Sequence, residues 1–97
     1  MLTSKQKRHL KAEAHHLKPV LYIGKSGVTD ALAQELEVVL DSLELIKVKL
    51  NQNSGADEKT VALALREKIP GLEHVWTIGH TLLLFRPSRT HETKYPA

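Results

Sequence analysis

The sequence predicts an α/β (α+β) domain: one compact unit in the order αβαβαββ on a four-stranded mixed sheet. Three observations carry this. Between Lys18 and Thr29 a β-branched and aromatic run too short for a helix passes through Gly24-Lys25-Ser26-Gly27 into a helix start. Leu32, Leu36, Val39, Leu40 and Leu43 recur at helical spacing, after which Ile46, Val48 and Leu50 alternate with Lys47 and Lys49. Gly79-His80 then separates two strand-like runs by the two residues of a tight hairpin. At 97 residues the chain has room for one modest core.

The first helix opens on a capping box, Thr3 with Gln6, and its apolar positions are Leu10, Ala14 and Leu17. That stripe is narrow, so Lys5, Lys7, Arg8, His9 and Lys11 face solvent. Pro19 cannot donate to a ladder and is admissible at a strand's first position; Val20 to Ile23 then reads as a buried strand. Gly24 and Gly27 permit backbone angles and approaches that a Cβ forbids. Thr29 is the next N-cap, with Val28 as a hydrophobic staple, and Glu35, Glu37 and Asp41 lie outside the apolar stripe of the helix it opens. A strand, a helix and a second strand imply a parallel, right-handed crossover.

Asn51 to Ala56 is polar and contains glycine, the segment expected to be mobile. Asp57 caps a third helix with Val61, Leu65 and Ile69 on one face, and Pro70-Gly71 ends it. The runs 72–78 and 81–86 are antiparallel neighbours across a type II′ turn. The domain is expected over residues 1–87, with 88–97 as a flexible tail, because periodicity is lost there.

Composition excludes several function classes. The chain has no cysteine, so it has neither a disulfide frame nor a thiolate metal site. Its apolar runs, Val20–Ile23 and Leu82–Phe85 among them, fall far short of a membrane span or a signal segment. A cytoplasmic monomer that engages no membrane is expected. There is no Gly-x-Ser-x-Gly elbow and no GxxxxGK[ST] loop; His15 and His16 project about 100° apart on a helix and lack an HExxH context. No catalytic residue, metal or cofactor is therefore expected. The aromatic residues Tyr22, Trp76, Phe85 and Tyr95 are scattered, which does not suggest a base-stacking platform of the RRM kind.

The net charge of +3 is unevenly spread. Residues 1–27 carry six basic groups against Glu13 alone, residues 28–58 two against seven acidic ones, and the remainder six against three. Such segregation suggests that one face attracts a polyanion while another repels it. Backbone N–H groups at the second helix start, with Lys25 beside them, form a cradle for a phosphate. Alone, Gly-x-x-Gly is most often a plain turn, and a basic helix face is often merely solvated. Their conjunction favours nucleic acid. The alternative is a protein-binding adaptor that docks its acidic second helix on a basic protein.

Several ordered blocks carry a family resemblance. Leu2-Thr3-Ser4-Lys5-Gln6-Lys7, Ala14-His15, Lys18-Pro19-Val20, Ile23-Gly24-Lys25-Ser26-Gly27-Val28-Thr29, Glu44-Leu45-Ile46-Lys47-Val48-Lys49 and Ile78 to Pro87 together resemble the chloroplast RNA splicing and ribosome maturation (CRM) domain. At this length the chain is most similar to the stand-alone bacterial YhbY-like form. The resemblance implies a fold like the C-terminal domain of translation initiation factor three, RNA binding without catalysis, and association with ribosomal RNA in precursors of the large (50S) subunit; for the adaptor alternative it makes the basic partner of the acidic second helix a ribosomal protein. It also implies that Gly24, Lys25, Ser26 and Gly27 contact the RNA backbone, as such a loop does in KH domains, although there it joins two helices. With the basic first helix, the RNA-facing set expected is Lys5, Lys7, Arg8, Lys11, Lys18, Gly24, Lys25, Ser26, Gly27 and Arg86.

Overall fold

The capping box forms as its residue types demand: Thr3 Oγ1 accepts the Gln6 N–H at 3.1 Å, and Gln6 Oε1 accepts the Thr3 N–H at 2.7 Å. It opens α1 (Ser4–Ala14) in a computed structural model that describes residues 2–51, 55 and 57–95. Thr29 and Asp57 cap α2 (Asp30–Leu43) and α3 (Glu58–Lys68) in the same way, accepting from Leu32 and Thr60. Most of the loop expected to be mobile, residues 52–54 and 56, lies outside the described residues.

The strands are β1 (Pro19–Ile23), β2 (Leu45–Leu50), β3 (Glu73–Ile78) and β4 (Thr81–Phe85), in the spatial order β1-β2-β4-β3. β1 runs parallel to β2 across α2, and β4 is antiparallel to both its neighbours, which makes the sheet mixed. At the hairpin Gly79 takes φ +57° while His80 does not turn positive, the pattern of a type II′ turn. Gly71, at φ +81°, lets the chain reverse after Ile69.

Strand alternation gives the sheet two apolar faces. Ile23, Ile46, Val48, Leu50, Leu82 and Leu84 pack against α2 and α3 through Leu36, Leu40, Val61 and Leu65. Leu45, Leu83 and Phe85 face the other way, where Leu10 and Ala14 of α1 cover them. A bulge between His74 and Trp76 lets Val75 join that smaller core, and Trp76 pairs with Leu83 on the same side.

Two expectations are corrected. β1 is an edge strand, not a buried one: Ile23 is 1% exposed, but Val20 and Tyr22 are 39% and 56% exposed. A continuous apolar run does not tell two-sided burial from an edge whose outer residues are wet. The segment after Pro87 is also held in place. Glu44, fully buried and at φ +64°, accepts the N–H groups of Ser88 and Lys94 on its two carboxylate oxygens, both at 2.7 Å. Tyr95 then packs edge-on against Phe85. Residues 88–95 thus belong to the fold, since buried carboxylate bonding substitutes for the apolar periodicity they lack.

Candidate nucleic-acid interface

Gly24 to Gly27 form a tight turn closed by the Gly27 N–H on the Gly24 carbonyl at 3.0 Å. The two glycines are not equivalent. Gly27 sits at φ +65°, where an L side chain is strained, while a Cβ on Gly24 would meet only Asn51 Nδ2 at an ordinary 3.7 Å. Lys25 and Ser26 occupy the exposed middle of the turn, whose closing bond leaves their N–H groups aside. The α2 N-terminus beyond the loop already carries a charge, because Asp30 opens that helix. Its carboxylate accepts from Lys68 Nζ at 2.6 Å, a bond that, with the lysine's charge, holds the carboxyl below its ordinary range. The helix end is thus less attractive to an anion than its bare dipole.

On α1, Lys5, Lys7 and Arg8 are exposed, and Lys11 extends to place Nζ 4.7 Å from the centre of the Trp76 ring. Lys18 is exposed between α1 and β1, and Lys47 Nζ donates to the Leu17 carbonyl at 3.1 Å, tying that connection to β2. The turn stands at the other end of β1. There Asn51 N–H bonds the Ile23 carbonyl and Leu50 N–H bonds that of His80. A five-residue strand puts roughly 16 Å between the two basic elements.

Arg86 is corrected from RNA-facing to structural. Its side chain is 4% exposed; Nη2 donates to Asp41 Oδ1 at 2.7 Å and to the Glu37 carbonyl at 3.1 Å, and Nη1 to Glu37 Oε1 at 3.2 Å. Nε has no partner among the described residues. Arg89 closes the cluster, with Nη2 2.9 Å from Asp41 Oδ2. Hydrogen bonds from the Arg89 side chain and backbone hold the Asp41 carboxyl well below the ordinary carboxylate range. Two of the three carboxylates expected to face solvent on α2 are thereby neutralised, and Glu35 stays exposed. Sequence reasoning missed Glu44, Ser88 and Arg89 in this role, and no local signal marks them: their partners lie more than 40 residues away.

Among the described residues no group of three His, Cys, Asp or Glu side chains is placed to hold a metal, and no helix is long and apolar enough to cross a membrane. The chain is similar to probable RNA-binding protein YqeI of Bacillus subtilis, with 42% identity over 95% of each chain. It is likewise similar to an RNA-binding protein of Haemophilus influenzae, at 41% identity over 98% of this chain and 95% of that one. The solution structure of hypothetical protein SAV1595 from Staphylococcus aureus superposes with a TM-score of 0.76 at 37% identity, over 99% of this chain and 100% of that one. Residues 2–86 match the model of the CRS1 / YhbY (CRM) domain, and the chain belongs to that family.

Proposed function

We propose that this is a non-catalytic RNA-binding protein that grips ribosomal RNA backbone through the 24–27 turn and the basic face of α1, and that it acts in the cytoplasm during assembly of the large ribosomal subunit. The RNA-binding names of relatives similar over nearly their whole length support the ligand class. The observation that carries the site is a division of charge. Lys5, Lys7, Arg8, Lys18 and Lys25 stand exposed around α1 and β1, whereas Glu37 and Asp41 are matched by Arg86 and Arg89 on α2. The same pairing disfavours the adaptor reading, since α2 has few unmatched carboxylates to offer a basic protein.

Affinity for a polyanion held this way is mainly counterion release. Replacing Lys5, Lys7, Arg8 and Lys11 together by Ala should leave the fold intact. If each of the four side chains neutralises one phosphate, the magnitude of the log K against log[salt] slope should fall by about 3 to 4. An unchanged slope in a folded variant would move the RNA site away from α1.

A further inference from the structure

The turn and α1 are separated along β1, and the surface between them is bare sheet. Tyr22, Lys49, Thr81 and Ile78 lie in register across all four strands and form one row. Lys47, Leu83 and Trp76 form the adjacent row. Both rows are on the α1 side, because Leu83 packs with Leu10 and Ala14 while Ile23, Val48 and Leu82, their sequence neighbours, face α2 and α3. α1 covers the end of this face at Leu45 and Phe85 and leaves the other end open: Tyr22 is 56%, Ile78 44% and Trp76 37% exposed.

We propose that this open face receives unpaired nucleobases of a single-stranded RNA segment, with Tyr22 and Trp76 as stacking surfaces and Lys11, Lys49 and Lys25 taking the phosphates. The inference rests on the RNA-binding reading above and gives it a substrate class. Three strand spacings put Tyr22 about 14 Å from Ile78, across a surface that is aromatic, apolar and cationic at once. Neither row contains a carboxylate. That combination suits a strand with planar apolar faces and a regular negative charge. It does not suit a second copy of this chain, whose Lys11, Lys47 and Lys49 would meet their own equivalents. Nor does it suit duplex RNA, whose bases are stacked away from a flat surface. In the free protein the Lys11 ammonium caps the Trp76 ring. A cation–π contact at an exposed site is weaker than base stacking, so a base can take its place and release the lysine to a phosphate.

Trp76 is the one tryptophan of the chain, so its fluorescence reports this face. With an oligouridine of about ten nucleotides, within the size range of single-strand sites, binding should quench Trp76. A blunt duplex of equal length should not. Tyr22→Ala should weaken oligouridine binding about five- to a hundredfold, and Tyr22→Phe should retain it. Thermal unfolding of each variant, read alongside, verifies that exposed Tyr22 is dispensable for folding. Binding without quenching, equal quenching by duplex, or wild-type affinity in Tyr22→Ala would overturn the platform while leaving the electrostatic grip of α1 in force. A wild-type protein that binds neither this oligomer nor ribosomal RNA would overturn both readings. A dimer in sedimentation that Tyr22→Ala dissolves would assign the face to self-association and also overturn the platform.

Discussion

Replacing Arg86 by Ala should cost stability rather than RNA affinity. The side chain is 4% exposed and makes three hydrogen bonds to Glu37 and Asp41, the shortest at 2.7 Å. Removing one member of a buried ion pair costs about 3–5 kcal/mol, largely because the partner charges are left without compensation. Here Glu37 and Asp41 keep some solvent access and Arg89 stays beside them, which places the cost near ~3 kcal/mol. A chain of this size has roughly 5–15 kcal/mol in all. Each kcal/mol shifts its Tm by about 4–8 °C, so thermal unfolding should fall by at least ~12 °C. Arg86→Lys keeps the charge but not the planar fork and should recover only part of that loss. Salt should change the difference little, because the cluster is screened from solvent. RNA binding measured well below both transitions should keep its affinity and its salt slope. An unchanged Tm together with a slope reduced by about one unit would refute this reasoning and return Arg86 to the phosphate-binding set.

Gly27→Ala forces a methyl into the left-handed region and should destabilise the turn by about 1–2 kcal/mol. Gly24→Ala, with ordinary contacts and no positive φ, should unfold close to wild type in the same thermal scan. Burial pushes the Glu44 carboxyl up, but the N–H bonds from Lys94 and Ser88, the Thr93 hydroxyl and the charge on His91 outweigh it and hold it below the ordinary 4.5. A depressed folded-state pKa gives stability that is complete above 4.5 and lost as pH falls through the folded value. Hydrogen exchange should therefore show residues 88–95 opening first on acidification, and Glu44→Gln should remove that pH dependence.

The elements that sequence made legible are those specified within a few residues. Thr3–Gln6, Thr29 and Asp57 cap their helices through contacts three residues away, and Gly79-His80 dictates its own turn. The parallel pairing of β1 with β2 followed from the strand–helix–strand order alone. What stayed hidden was long-range. Arg86 has the same charge as Lys25, and only the folding of α2 beneath it makes one structural and the other exposed. Glu44 takes a backbone angle that favours glycine, with no residue type to announce it. Tyr22 and Trp76 look scattered because they are 54 positions apart, yet β1 and β3 bring both rings to one side of the sheet. The candidate site was thus readable as a charge pattern and a turn, but not as a surface.

The strand order also has a consequence for how the molecule comes into being. β4, the fourth of the described strands in chain order, lies in the middle, bonded to β2 on one side and β3 on the other. Until residues 81–85 emerge from a ribosome, β2 and β3 have no common neighbour, and β2 has only the parallel edge strand β1 to pair with. The two-residue hairpin allows β3 and β4 to zip cheaply, but docking that pair on β2 closes a loop across the whole of α3. Both apolar faces are completed by that single late event, since β4 supplies Leu82 and Leu84 to one and Leu83 and Phe85 to the other. A nascent chain of this architecture therefore finishes its sheet only once β4 has followed the other three strands out, and the ordering of its two cores is coupled in one step.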